Sequence, residues 1–300
     1  MRSANPRILI TGATGFTGMY AYHYALEKHM NVTCIGRTLQ RFQQNDHFVQ
    51  CNLTNYLEID QLIKDIKPDY VLHLAGFNDA AKSWENPMEC IETNLHGTLH
   101  LLESIRKYVP ECRTLVIGSA LQFSPHNEKA PHPYSLSKTL QILLTQNWQD
   151  LFSMDVIVAK PSNLIGPGPS KGICSIVAEQ IVKSEQEGKP VKITLNNSLA
   201  QCDFVDVRDV VKAYFLLLEY PSSFRSFEIG SGTSHTLEEV ITIYKTMTQQ
   251  QFLVNINESC EQTPVCMELG PIQTLGWVPE FTLQSSLKDI LTYFRTYEAL

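Results

Sequence analysis

Tyr134 and Lys138 stand four residues apart in Tyr134-Ser135-Leu136-Ser137-Lys138. On a helix, that spacing brings a phenol and an ammonium to one face. A free phenol titrates near ~10, and a neighbouring cation lowers that value by favouring phenolate, which makes tyrosine a usable acid or base. Ser119 follows Arg113 to Ile117, an apolar run that reads as a strand. Ligands bind at the carboxyl edge of a parallel sheet. A hydroxyl there can hydrogen-bond a carbonyl oxygen as charge develops on it. Plainer roles exist for each: Tyr/Lys pairs are common on surface helices, and a serine after a strand often caps a turn or a helix.

A second reactive pattern lies at the start. Arg7 to Thr11 is a short apolar strand candidate that runs into Gly12-Ala13-Thr14-Gly15-Phe16-Thr17-Gly18, with a helix-like segment behind it. Glycines three apart let the backbone turn sharply and approach a pyrophosphate. The helix N-terminus that follows offers free N–H groups and a favourable dipole. Gly12, Thr14, Gly15, Phe16, Thr17 and Gly18 are therefore candidate dinucleotide contacts; the alternative is an ordinary glycine-rich turn.

Elements of alternating type must position these groups. After the first strand the pattern predicts a helix over 18–29 and strands at Val32 to Ile35 and Phe48 to Cys51. A helix at Tyr56 to Ile66, a strand at Tyr70 to Leu74 and a helix over Glu89 to Val109 come next. The strand at Arg113 to Ile117 precedes a helix over Ser135 to Phe152 and a strand at Val156 to Ala159. This βα rhythm predicts an α/β fold, a Rossmann-type doubly wound parallel sheet covered on both faces. Beyond Lys160, Pro161 and the run Gly166-Pro167-Gly168-Pro169 break the rhythm, and mixed elements suggest a smaller C-terminal substrate lobe. The expected division is 1–161, mainly dinucleotide-binding, and 162–300, mainly substrate-binding, with some segments returning to the first domain.

Composition narrows the class. The chain has 300 residues, 43% hydrophobic and 18% charged, with a formal charge of -7, which argues against a nucleic-acid binder. Eight scattered cysteines (34, 51, 90, 112, 174, 202, 260 and 266) form no CxxC pair, so neither zinc nor a disulfide scaffold is indicated. No apolar run of about 18 residues occurs and the N-terminus has no signal-cleavage pattern, which makes a cytoplasmic protein without a membrane partner the expectation. His126, His132 and Glu128 share one loop, but no ligand motif joins them and Pro125, Pro131 and Pro133 constrain it; no metal is expected.

Taken together, these motifs resemble the extended short-chain dehydrogenase/reductase family of nucleotide-sugar epimerases, dehydratases and reductases, over nearly the whole chain. Gly12, Gly15 and Gly18 match its cofactor loop, and Ser119, Tyr134 and Lys138 its catalytic residues. Asn94-Leu95-His96-Gly97-Thr98 matches its helix motif, whose asparagine supports the active site. Lys160-Pro161-Ser162-Asn163 to Gly168 is similar to its loop near nicotinamide and sugar. Asp203 to Val210 resembles its late substrate-lobe motif, and Gly276-Trp277-Val278-Pro279 its C-terminal signature. The resemblance implies an NAD(P)-dependent enzyme. It places Asn52, Leu53, Leu74, Ala75, Gly76, Asn94, Lys160 and Pro161 at the cofactor. It places Phe77, Asn78, Ser119, Ala120, Leu121, His132, Asn163, Lys171 and Arg208 at a nucleotide-linked sugar.

The 4,6-dehydratases of that family carry an acidic pair after the catalytic hydroxyl residue. Here Ala120 and Leu121 stand there and can move no proton, which argues against water elimination. The stretches Ser162 to Val182 and Phe204 to Leu218 are most similar to GDP-6-deoxy-4-keto-mannose reductases. The expected activity is NADPH-dependent reduction of the C4 ketone of a nucleotide-linked 4-keto-6-deoxy-hexose, with 4-epimerisation as the alternative. A non-catalytic cofactor-binding protein is the alternative of another class. Tyr134 would give its proton to the developing alkoxide, Ser119 would bond the reacting oxygen, and Lys138 would support the tyrosine and hold the nicotinamide ribose.

Gly36-Arg37-Thr38 follows the second strand, where an NAD site offers an acid to the ribose diol. Arg37 can pair with a 2′-phosphate instead, so NADP(H) is preferred over NAD(H). Two departures affect the substrate side. Cys202 stands where relatives have an arginine before the aspartate, and the diphosphate-binding arginine expected near Asn257 to Pro264 is missing. Lys171 or Arg208 would have to compensate, although Arg208 equally suits a salt bridge within the lobe. A homodimer is expected through Glu89 to Val109 and Ser135 to Phe152. The first carries Ile91, Leu95, Leu99, Leu102 and Ile105, the second Leu140, Ile142, Leu143, Leu144 and Trp148, apolar on more than one side.

Overall fold

The computed structural model describes residues 5–38, 47–125, 127–220, 225–258 and 267–297. His126, Cys260, Cys266 and the segment 259–264 fall outside the described residues, so the expectations that touch them stay with the sequence.

In chain order, β1 (Arg7–Thr11), α1 (Phe16–Glu27), β2 (Asn31–Gly36) and β3 (Phe48–Gln50) are followed by α2 (Tyr56–Ile66) and β4 (Tyr70–His73). Next come α3 (Ala80–Glu85), α4 (Pro87–Ile91), a π-helical turn over Glu92–His96 and α5 (Gly97–Tyr108). The expected single helix over Glu89 to Val109 is thus three helical pieces. Backbone angles stay helical at Ile91, Glu92, His96 and Gly97, so the pieces run on with one wide turn between them. β5 (Arg113–Ile117), α6 (Pro133–Phe152) and β6 (Val156–Pro161) complete the alternation. Pro133 occupies the first position of α6, where its missing N–H costs nothing, and the helix starts two residues earlier than predicted.

The large sheet has the order β10-β6-β5-β4-β1-β2-β3, with β10 being Ser226–Ile229, and the pairings from β3 through β6 are parallel. This is the doubly wound arrangement predicted from the sequence. The chain leaves β1 toward β2 on one side and returns through β4 on the other, which opens a crevice at the carboxyl ends of β1 and β4. The middle of the sheet is covered: every residue of β4 and β5 is buried. That burial explains their uniform rather than alternating apolar runs. Ile59 and Ile63 of α2 and Leu101, Leu102 and Ile105 of α5 bury one flank against Leu9, Val71 and Val116.

Residues 1–160 with 214–227 form one compact unit, and 161–213 with 228–300 form the other. The second unit holds β7 (Asn163–Ile165), α7 (Ile173–Glu187), β8 (Val191–Asn197) and β9 (Gln201–Asp206), and α8 (Val207–Glu219) begins there. β11 (Ser234–Thr236), α9 (Leu237–Lys245), β12 (Phe252–Glu258), α10 (Gly270–Gln273) and α11 (Leu283–Tyr297) complete it. Its strands form a mixed sheet, β11-β9-β7, and a parallel pair, β12-β8. Val177, Ile181, Ile193, Leu195, Ile290 and Leu291 belong to its core.

Candidate active site

Gly12 sits at φ 68°, and a Cβ there would lie 2.7 Å from the Ala75 nitrogen. Only glycine accepts both the angle and the approach, so the loop after β1 packs directly on the segment after β4. Gly15 caps α1, whose first turn carries no acidic residue. Phe16, Thr17 and Gly18 are its opening residues, with Gly18 buried. The N–H groups of this turn are therefore available to an anion.

A cleft of about 300 Å³ opens at this edge. Gly12, Thr14, Gly15, Arg37, Asn52, Leu53, Leu74, Ala75, Gly76 and Asn78 line it, all singled out from the sequence. Thr93, Cys51 and Thr54 line it as well and carried no motif to mark them. The free-backbone helix start at one end and the apolar and amide groups at the other suit a dinucleotide. Arg37 is exposed beside it, with Nη1 3.0 Å from the Glu89 Oε1. Asn52 Oδ1 accepts from the Thr54 N–H and hydroxyl, closing a local turn.

Ser119, Tyr134 and Lys138 lie beyond that lining, and all three are buried. Gly76 joins the two regions: a Cβ on it would come 3.4 Å from Lys138 Nζ and 2.9 Å from Asn94 Oδ1. Asn94, fully buried in the π turn, grips the neighbouring backbone in both directions. Its Oδ1 accepts from the Phe77 N–H at 2.7 Å, and its Nδ2 donates to the Phe77 carbonyl at 3.0 Å and to Ser137 Oγ at 2.8 Å. One amide thus fixes the strand-end segment against α6.

Ser119 Oγ accepts from the Leu121 N–H at 3.0 Å. Ala120 is half-buried and Leu121 exposed. Burial pushes the Tyr134 phenol above its ordinary value, and the nearby Ser119 hydroxyl opposes that. The sequence expectation of a lowered phenol is therefore corrected for the protein alone. The reason is geometric: Lys138 Nζ donates to the Ile117 carbonyl and to Gln141 Oε1, each at 2.9 Å. Burial pulls the Lys138 ammonium down to about 8.

His132, read from the sequence as part of a loop, caps a helix instead. It is the N-cap of α6, its Nδ1 accepting from the Ser135 N–H at 2.9 Å, and its ring stacks 5.9 Å from that of Tyr134. Glu128 accepts from the Ser124 N–H. Among the described residues no group of three His, Cys, Asp or Glu side chains converges as for a metal.

The remaining candidates belong to the second unit or its junction. Lys160 is half-buried and Pro161 buried in β6. Asn163 Nδ2 donates to the Asp203 carbonyl at 3.1 Å. Lys171 is exposed ahead of α7. Arg208 is bound bidentately to Asp206, reaches Asp289 at 2.8 Å and stacks 3.6 Å over Phe281. Burial works against its charge, but Asp206 and Asp289 outweigh that and push the guanidinium further up. The salt-bridge reading of Arg208 is the one its contacts fit.

A family model described as "NAD dependent epimerase/dehydratase family" matches residues 8–230. The chain belongs to that family. Family members act through NAD(P) on nucleotide-linked sugars, and the chain is an NAD(P)-binding enzyme of the oxidoreductase/epimerase type. It is 27% identical to the GDP-6-deoxy-D-mannose reductase of Pseudomonas aeruginosa, with 95% of this chain and 96% of that protein covered. The structure of RMD from Pseudomonas aeruginosa complexed with NADPH superposes with a TM-score of 0.81 at 24% identity, covering 99% and 100% of the two chains. A UDP-glucose 4-epimerase with UDP-glucose from Thermotoga maritima superposes with a TM-score of 0.86 at 22% identity, covering 97% and 99%.

Proposed function

We propose that the chain exchanges hydride between NAD(P) and C4 of a nucleotide-linked sugar, with Tyr134 as acid/base. The observation that carries this is that Tyr134 and Lys138 are buried together on α6, with Lys138 Nζ at Gly76, a residue that lines the dinucleotide cleft. Bound NAD(P) would supply or take the hydride. Tyr134 would give or take the proton at the C4 oxygen, Ser119 would donate to that oxygen, and Lys138 would hold the nicotinamide ribose and add positive potential. Exclusion of water from these buried groups strengthens every one of those interactions.

Two outcomes share this step. Proteins called 4-epimerases recur among the relatives more often than reductases, which supports 4-epimerisation, an oxidation followed by re-reduction on the opposite face. Net reduction of a 4-keto sugar is the second reading. It is favoured by a phenol pushed up by burial, which keeps Tyr134 a proton donor at neutral pH, and by Arg37, which suits NADPH. Ala120 and Leu121 leave dehydration without its acid/base pair.

A panel of UDP-, GDP-, CDP- and dTDP-linked sugars and 4-keto-6-deoxy sugars separates the readings. An epimerase interconverts C4 isomers with no net change in cofactor. A reductase consumes one NADPH per ketone. Cofactor binding with no turnover across the panel would reject both.

A further inference from the structure

Gln141 has no place in the chemistry above, yet it is fully buried three residues after Lys138. A buried carboxamide must find partners for both ends. Its Oε1 faces Lys138 Nζ at 2.9 Å, and its Nε2 donates to Thr98 Oγ1 at 2.8 Å. That orientation is forced, because an ammonium can only donate.

The rest of the network follows from counting protons. Thr98 has one, and it goes to the Asn94 carbonyl at 2.6 Å. Thr98 Oγ1 must therefore accept from both Gln141 and His73 Nε2, the latter at 2.9 Å. The His73 proton is then on Nε2, and Nδ1 accepts from Thr11 Oγ1 at 2.8 Å. Thr11 Oγ1 in turn accepts from the Ala75 N–H at 3.0 Å. Thr11 precedes Gly12, and Ala75 precedes Gly76. The directed chain thus ties Lys138 to both walls of the cofactor cleft, and Gln141 is the link that reaches the ammonium.

We infer that Gln141 is a positioning residue for the cofactor: its carboxamide holds the Lys138 ammonium at the Gly76 wall, keeping it in place and charged. The inference rests on the reading of Lys138 as the ribose-binding lysine. Two of the three ammonium donors go to Ile117 and Gln141, which leaves one for a ribose hydroxyl. The titratable groups around Lys138 are Tyr134 on its own helix, Cys90 from α4 and His73 from β4. Burial pushes the phenol and the thiol up and the imidazole down to about 3, so all three are neutral at pH 7. The ammonium is the one charge in the cluster, and Gln141 Oε1 is the side-chain acceptor that stabilises it.

Fluorescence titration of NADPH against wild type, Gln141→Leu, Gln141→Glu and Lys138→Met between pH 6 and 9 tests this without any substrate. Gln141→Leu removes the acceptor and lowers the lysine further, so affinity should fall about tenfold at pH 7.5, and its loss with rising pH should begin earlier than in wild type. Gln141→Glu places a carboxylate on the ammonium, so affinity should persist to higher pH than in wild type. Wild-type affinity and pH dependence in Gln141→Leu, with weakened binding in Lys138→Met, would overturn the inference and leave the site reading intact. Wild-type binding by Lys138→Met at every pH would overturn the site reading first and the inference with it. Where Gln141→Leu fails to fold, Gln141→Glu decides: an upward shift supports the inference, and an unshifted profile overturns it.

Discussion

Both compact units bury charge, but they use it differently. In the second unit the buried carboxylates Asp203, Asp206 and Asp209 are spent on holding the fold, with only Asp209 Oδ1 among their oxygens buried and unpartnered. Asp203 accepts from Ser162 Oγ and from the Ser231 and Gly232 N–H groups. Asp206 takes Arg208 and Ser286, and one Asp209 oxygen takes the Glu280 and Phe281 N–H groups. The Trp277 indole of the C-terminal signature donates to the Asp209 carbonyl. These carboxylates staple loops. In the first unit the Lys138 ammonium, 5% exposed, ends a chain of neutral partners and keeps a donor to spare beside a cleft. Burial alone therefore does not mark a functional charge; an unfinished set of partners beside a cleft does.

The comparison predicts that substitutions in the first unit will change chemistry and binding, while those in the second will change stability. Tyr134→Phe should show the largest effect, a fall in turnover of about 10²–10⁴-fold with NADPH affinity nearly unchanged. Steady-state rates beside a fluorescence titration would check this, and activity within a few-fold of wild type would break the contrast. Arg208→Met leaves Asp206, whose side chain is fully buried, without its cation. Because the guanidinium is partly exposed, a loss of about 2–4 kcal/mol is expected in urea unfolding, with cofactor affinity retained. A stable Arg208→Met protein that no longer binds a nucleotide sugar would instead make Arg208 a substrate contact.

Smaller effects sharpen the boundary. Arg37→Ala should weaken NADPH several-fold more than NADH, since only NADPH carries the extra phosphate. Tighter NADH than NADPH binding by wild type would reject the preference. Glu89 already pairs with Arg37, so the gain from a 2′-phosphate is reduced by the cost of displacing that carboxylate. The smallest expected effect lies on the outer face of α6, where Leu136, Leu143 and Leu151 are exposed. They are expected to pack on a second copy, giving a homodimer at micromolar concentration by light scattering. Leu143→Glu should loosen that dimer and leave cofactor binding alone.

What could be read in the sequence was what sits on one element or beside it. The glycine loop, the Tyr134/Lys138 spacing and Ser119 after β5 are local patterns, and so is the βα alternation of the large sheet. The polar chain was not legible, because its links join residues 62, 25 and 43 positions apart. Thr11, His73 and Gln141 carry no local signature that separates them from ordinary core-facing residues. The Tyr134 shift was misjudged because spacing to a lysine reveals neither burial nor what else that lysine bonds. In the second unit β7 and β11 went unread because they have three residues each, too short for alternation to register. His132 as a helix cap was readable in hindsight from Pro133 at the helix start.

The π turn at Glu92–His96 has a consequence for how this chain can vary in length. A wide turn holds one residue more than an ordinary one, so the helix before it and the helix after it are out of phase by about 100°. Excising one residue there would restore a regular helix and cost no backbone hydrogen bond within it. It would also swing either Asn94 or all of α5 around the axis, parting Phe77 from its amide or Thr98 from His73. A deletion that looks conservative in a helical alignment would thus unlock the strand end that forms the wall of the cleft.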